Sequence, residues 1–411
     1  MLSTESSYTT FSLDHQDEFV LRLFHAWKPG QSGTFLDVGC LHGIHGNNTF
    51  TLENAGWKGQ LISEGEIYVN ENRKLREAPC HLADLTCCDW NTILGNEHIE
   101  VDYISFVAAP NERFSAILLK FPWNIIRFSI CTLRHFDDSS HRDLARRIMS
   151  ENGYLLLAGN VSSRNDLTPY EDWFIDAAKI PSGIWQKYAS DSVRAIDVFY
   201  EPKVATNQTF TSCSSDLQDE FVMRLFLTKN PDFKGTYLDI GCGHGYKGNN
   251  TFLLEDRGWT GYLVDIDKDA FEWNVKYRTA SKSFCEDVTV CDWNALLGKS
   301  EDEKRLFDYI SFDVDEATMG AVNNFPWDTV RFRVMTIEHD TYRFGPAKRE
   351  YIRELMRDHG YLLVAGDVLA GFNGGPFEDW FVDPLLVPEE DYMPYMTMWS
   401  RAIDVLYKPK V

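Results

Sequence analysis

The sequence predicts a doubly wound α/β fold, built twice in tandem. Three observations predict it. Short apolar runs that read as strands alternate with helical stretches, the pattern of a mostly parallel sheet covered on both faces. Polar residues collect just after the carboxyl ends of those strands, where open α/β sheets bind ligands. The motifs of the second half also occur, in the same order, in the first half. "TFLDVGCLHGIHGNNTFTLENAGWKGQL" from Thr34 returns as "TYLDIGCGHGYKGNNTFLLEDRGWTGYL" from Thr236. Gln16-Asp17-Glu18-Phe19-Val20 returns as Gln218-Asp219-Glu220-Phe221-Val222, and Glu171-Asp172-Trp173-Phe174 as Glu378-Asp379-Trp380-Phe381. Each copy has the size of a whole domain. The expected domains are 1–204 and 205–411, joined through the Ser/Thr-rich stretch "VATNQTFTSCSSD".

In the second copy, residues 237–240 read as the first strand, running into Gly241-Cys242-Gly243-His244-Gly245. Residues 262–264 read as the next, ending on Asp265-Ile266-Asp267. Residues 307–312 end on Asp313, and 330–337 on Glu338-His339. The pattern predicts a helix over 348–359, a strand over 361–365 and a closing strand over 402–407. Cys40/Cys242 and Cys88/Cys291 recur in both copies and read as small buried fillers. Glu378 to Phe381 reads as a packing element, and the Gly-rich stretch from Leu369 as a surface loop able to cover a site.

Composition narrows the partners. The net charge is −22, from 62 acidic and 40 basic residues, and no Lys/Arg-rich run makes a local exception. Such a field repels polyanions, so no nucleic-acid partner is expected. Nine cysteines without a CxxC pair suit a reducing compartment. The amino-terminal residues show no leader pattern, and no run approaches the roughly 18 apolar residues of a membrane helix. The expectation is a cytoplasmic protein with no membrane partner.

The glycine turn carries the first functional reading. Asp239-x-Gly241-x-Gly243-x-Gly245 lets the backbone turn tightly and approach a ligand. Asp265, about 25 residues on and at the next strand end, suits a carboxylate accepting bonds from ribose hydroxyls. The GxGxG spacing favours S-adenosylmethionine over a dinucleotide, whose loop is GxGxxG.

Taken in order, "QDEFVMRLF", "GTYLDIGCGHGYKGNNTFLLEDRGWTGYLVDID", "DYISFDVDEA", "FPW" and "TIEHD" resemble the FkbM family of S-adenosylmethionine-dependent methyltransferases. The resemblance covers nearly all of the second copy and, more weakly, the first. It implies a class I methyltransferase fold, Rossmann-like and mostly parallel, in each copy. It also implies methyl transfer to a hydroxyl of a sugar, glycan or small metabolite. By that match Asp239, Gly241, Gly243, Gly245 and Asn249 line the methionine end of the cofactor. Asp265 meets the ribose, with Asp267 beside it, and Asp287 lies near the adenine. Asp267 departs from the family, which more often shows an uncharged residue there.

Asp313, Glu338 and His339 at adjacent strand ends are the candidate catalytic residues. Methyl transfer to a hydroxyl needs positioning and loss of the hydroxyl proton. Asp, Glu and His in one cleft can supply a base, or ligands for Mg²⁺ or Mn²⁺ that acidify the hydroxyl. The first copy lacks these acids. Asp265 aligns with Ser63, Asp267 with Gly65, Gly243 with Leu41, Asp313 with Val107, Asp315 with Ala109, Glu316 with Pro110, Glu338 with Arg134 and Asp367 with Asn160. Scaffold residues such as Asp37, Trp57 and Trp173 are kept. The expectation is a degenerate first copy that serves as scaffold, packed on the second as an intramolecular pseudo-dimer. Two other readings stay open: a nicotinamide-dependent oxidoreductase on the same sheet, and a non-catalytic interaction protein.

Overall fold

The strand Thr236–Ile240 is buried from its second residue to its last, as a central strand covered by helices on both faces requires. Its relatives build an eight-stranded sheet around it. The computed structural model describes residues 8–95, 99–107, 113–163, 168–206, 208–246, 248–298, 305–371 and 374–410. Ala109 and Pro110, paired above with Asp315 and Glu316, lie outside them. The chain divides into two units, residues 1–201 with 409–411, and residues 202–408.

In unit 2 the strands, counted in chain order, are Thr236–Ile240, Thr260–Asp265, Lys282–Cys285, Arg305–Phe312, Val330–Glu338, Leu362–Leu369, Pro376–Val382 and Thr397–Met398. They lie in the order 3-2-1-4-5-7-6-8. The first five pair parallel, and the seventh is antiparallel to both of its neighbours. Unit 1 has the same order, from Thr34–Val38 through Ser190–Asp191. Each unit therefore has the Rossmann-like, doubly wound fold that the sequence predicts. One face of the unit 2 sheet packs on a core that includes Ile240, Phe312, Phe325, Trp327, Phe332 and Met356. The predicted helix over 348–359 is there as Ala347–Asp358, with Ile352 and Met356 buried.

Two elements differ from the sequence expectation. Pro376–Val382, read as a packing element, is the seventh strand of the sheet. Acids in mid-strand hid it. Glu378 and Asp379 are both fully buried, yet each has its partners. Gln218 Nε2 and Trp380 Nε1 donate to Glu378, and the Arg353 guanidinium makes a two-toothed bond to Asp379 at 2.6 and 2.7 Å. The expected strand over 402–407 is instead the short helix Ala402–Leu406 followed by Tyr407–Pro409. Arg401 Nε to Asp404 Oδ2, 2.7 Å, ties that turn across its first residues, overriding the strand preference of Ile403 and Val405.

Candidate active site

The first and second strands of unit 2 end side by side, and the glycine turn bridges them. Gly241 N–H donates to Val264 O at 2.9 Å. Gly241 has φ +80°, and a Cβ there would sit 1.7 Å from the Asp313 carbonyl oxygen, so only glycine lets these strand ends close. Gly243, φ +58°, has open space where its Cβ would be, and its N–H donates to Asp265 Oδ2 at 2.7 Å. The turn and the strand-end carboxylate thus fix each other. Together they floor a cavity of about 440 Å³, within the roughly 300–1,000 Å³ typical of ligand pockets.

Of the sequence candidates, Gly241, Gly243, Asn249, Asp265, Asp287 and Asp313 line this cavity. Asp287 is held by Thr289, whose N–H and hydroxyl donate at 2.9 and 2.6 Å and keep its carboxyl below the usual range. Asp239, Gly245 and Asp267 do not line it. Asp239 lies beneath the turn, accepting from Thr251 Oγ1 at 2.6 Å, and burial pushes its carboxyl up to about 6. Unit 1 repeats that support, Thr49 Oγ1 donating to Asp37 Oδ2 at 2.9 Å, so Asp239 belongs to the scaffold. Asp267 caps the next helix, accepting from Ala270 N–H at 2.8 Å. Glu286 also lines the cavity, at a position where the first copy has Ala83.

A second cavity of about 150 Å³ adjoins the first, sharing Gly248 and Asp313 with it. Four carboxylates line it: Asp216, Asp313, Glu338 and Asp340. Asp313 is open to the cleft yet closely surrounded by protein, and Glu338 is half-buried. Desolvation raises both carboxyls, Glu338 further through the charge of Asp313 beside it. Each carboxyl is thus the other's close neighbour, and the pair titrates as a unit rather than as two separate groups. Asp315 N–H donates to Glu338 Oε2 at 3.1 Å. Arg343 Nη1 reaches Asp315 Oδ1 at 2.7 Å and Asp340 Oδ2 at 3.3 Å, and Lys348 Nζ donates to the Asp315 carbonyl at 2.7 Å.

His339 is not in this group. It is fully buried, with Nε2 at 3.4 Å from Asp379 Oδ1 and Nδ1 at 2.9 Å from Thr341 Oγ1. Unit 1 keeps the position, His135 Nε2 lying 3.7 Å from Asp172 Oδ1, and neither Nε2 makes a hydrogen bond among the described residues. In unit 2, ligand atoms of His339, Asp367 and Asp379 lie within 4.8 Å of one another, a separate buried group able to hold a metal. The expected set of Asp313, Glu338 and His339 is therefore not assembled around one point. Asp340 stands where His339 was expected. Oxygens of Asp315, Glu338 and Asp340 lie within 4.8 Å of one another and are the carboxylates here that could hold a cation. Asp340 could have been found from the sequence, since its first-copy counterpart is Phe136 whereas His339 keeps His135.

The corresponding cleft of unit 1 is built differently. Gly39 keeps its positive φ, but Leu41 and Gly43 are not left-handed as Gly243 and Gly245 are. Arg113 Nη2 reaches Asp84 Oδ1 at 2.7 Å and also Glu64. Asp84 and Glu64 are the counterparts of Asp287 and Ile266, which line the unit 2 cavity. The unit 1 cavity, about 360 Å³, includes Leu41, Val107 and Arg134 but not Ser63, Glu64 or Asp84.

No protein-family model matches the chain, and no curated protein matches it. Among solved structures the chain is similar to a TehB-like SAM-dependent methyltransferase from Corynebacterium glutamicum, at 17% identity over 40% of this chain and 87% of that one, TM-score 0.27. It is similar to the plantazolicin methyltransferase BamL at 14% identity over 41% and 85%, TM-score 0.28. It is also similar to the N-methyltransferase NodS from Bradyrhizobium japonicum at 14% identity over 41% and 94%, TM-score 0.27. At these values the likenesses carry no weight for function, and the fold rests on the strand order itself.

Proposed function

We propose that unit 2 is an S-adenosylmethionine-dependent methyltransferase of the FkbM type. Its acceptor is a hydroxyl of a sugar, glycan or small metabolite, and unit 1 is a degenerate copy. The observation that carries this reading is the meeting of two cavities at Asp313, one floored by the glycine turn and Asp265, the other lined by carboxylates. Asp265 accepts from the ribose hydroxyls, Gly241 and Gly243 let the backbone come close, and Asp287 faces the polar edge of the base. When bound, the cofactor supplies an electrophilic methyl group. The chain's own residues then position the acceptor hydroxyl and take its proton. The Asp313–Glu338 pair suits that role, because raised carboxyls make its ionised member a stronger base than an ordinary carboxylate. Asp340 and Asp216 offer further acceptors to the hydroxyls of a polyol.

The test is methyl transfer from labelled cofactor to a panel of polyol and phenol acceptors, with Asp313→Asn beside the native chain. Loss of a general base lowers turnover by about 10²–10⁴-fold, while affinity for S-adenosylhomocysteine stays within about twofold. A chain that binds neither S-adenosylmethionine nor S-adenosylhomocysteine overturns the reading. The carboxylate oxygens of Asp315, Glu338 and Asp340 favour a second reading, in which a divalent cation acidifies the hydroxyl. Chelation then abolishes turnover and leaves cofactor affinity unchanged, whereas the base mechanism survives it.

A further inference from the structure

Loss of the acids leaves the unit 1 cleft with a cation instead. Arg134 ends the fifth strand and lines the cavity of about 360 Å³. Its Nε is buried and has no hydrogen-bond partner among the described residues. Among the described residues no hydrogen bond or ion pair within 4.0 Å holds the guanidinium. The side chain is kept in place by aromatic rings, its central carbon 5.1 Å from the Tyr170 ring centroid and 5.8 Å from that of Phe136. A half-buried guanidinium with no hydrogen-bonded partner is costly, and such donors are ordinarily satisfied. Asn48 adds a second unsatisfied group to the same wall. It is 4% exposed, its Nδ2 donates to Ser105 Oγ at 3.2 Å, and its Oδ1 has no partner.

We infer that the unit 1 cavity is a binding site for a small organic anion, a carboxylate or phosphate ester on an apolar body, held at its charged end by Arg134. The planar fork of the guanidinium fits either head group. Leu13, Leu41, Val107 and Tyr68 line the same cavity and supply the apolar wall. The acids nearby leave the Arg134 guanidinium without a hydrogen-bonded partner among the described residues. Glu171, fully buried and paired with Arg134 across the sheet, accepts from Gln16 and Trp173 at 2.9 and 3.0 Å through one oxygen, while its other oxygen has no hydrogen-bond partner among the described residues. Burial raises its carboxyl and the Arg134 charge lowers it, but no hydrogen bond joins the two. Asp37 is occupied by Thr49 and Asn47. The two units thus present opposite charge at one place in the fold, Glu338 in one and Arg134 in the other. The site is independent of any chemistry in unit 2.

Calorimetric titration of the full chain with benzoate, phenyl phosphate and neutral benzamide tests this, with S-adenosylhomocysteine present throughout. The expected result is one anion site per chain, with benzamide at least tenfold weaker than the better of the two anions. That ranking between benzoate and phenyl phosphate tells a carboxylate ligand from a phosphate ester. Arg134→Gln weakens the anion at least tenfold. Leu41→Trp, at a position 53% exposed and so tolerant of bulk, blocks the mouth and also weakens binding without touching the charge. Failure of both anions to bind at millimolar concentration overturns the inference. So does benzamide binding as well as benzoate, or undiminished anion binding by either folded variant.

Discussion

Replacing Asp265 gives the sharpest measure of the cofactor reading. Its carboxylate ends the second strand half-buried, with Oδ2 on Gly243 N–H at 2.7 Å and Oδ1 on Asp267 N–H at 2.9 Å. Hydrogen bonds to a charged group contribute roughly 1.5–3 kcal/mol each. A ribose offers two hydroxyls, and the half-exposed position argues for the lower end, about 3 kcal/mol in all. Asp265→Ala should therefore weaken S-adenosylhomocysteine about 100-fold. Asp265→Asn keeps one oxygen and should cost about tenfold. Calorimetry on the full chain reads both, and urea unfolding checks that the loss of the Gly243 contact costs only about 1 kcal/mol. The native chain should show one site, because Ser63 and Leu41 replace Asp265 and Gly243 in unit 1. Two sites per chain, or an Ala variant within about twofold of native affinity, refutes the reasoning.

Other perturbations separate scaffold from site. Gly241→Ala drives a Cβ against the Asp313 carbonyl at a positive φ and should destabilise unit 2 by roughly 3 kcal/mol or more. Gly243→Ala meets no atom, so it should cost about 1 kcal/mol of stability and show its effect in cofactor affinity. His339→Gln should lower the melting temperature of unit 2 and leave the pH profile of turnover unmoved; a lost limb in that profile would return His339 to the chemistry. Acidification should stabilise unit 2. Asp239 is raised to about 6 and Glu338, Asp313 and Asp340 are raised as well. The folded state therefore binds protons that the unfolded chain releases above about pH 4. Stability then falls as pH rises through the folded values, for Asp239 by up to about 3 kcal/mol. Carboxyls held low, such as Asp379, do not change over that window. Scanning calorimetry should find the unit 2 transition higher at pH 5 than at pH 7.5, and the reverse order would contradict the raised carboxyls.

The sheet was legible where mostly apolar runs carry a single acid, as in Thr236–Ile240 and Arg305–Phe312. It was illegible at Pro376–Val382, because the partners that make Glu378 and Asp379 tolerable come from residues more than twenty positions away. The glycine turn and Asp265 were legible because strand ends and ligand sites coincide in this architecture. His339 was misplaced although the signal against it was present. Glu338 ends its strand, and past it His339 is fully buried beside Asp379 while Asp340 lines the carboxylate cavity. What the sequence could not supply was the left-handed turn at Asp340, φ +48°, that carries its carboxylate back over the strand end.

The two units differ least where the fold needs them alike. Arg278 donates to Glu255 and Thr251 beneath the unit 2 turn, and Arg76 donates to Glu53 and Thr49 beneath that of unit 1. His339 and His135 lie beside the same aspartate position in their sheets. The differences gather on the cleft floor, where Asp265, Asp313, Glu338 and Asp340 stand opposite Ser63, Val107, Arg134 and Phe136. Crowded carboxyls destabilise a fold by their mutual repulsion and lost hydration, as the raised values around Glu338 register. Unit 1 shows that the same sheet order forms without that cluster. It keeps single buried carboxyls such as Asp37 and Glu171, but not the cluster, so the crowding of acids is the feature that sets the unit 2 cleft apart.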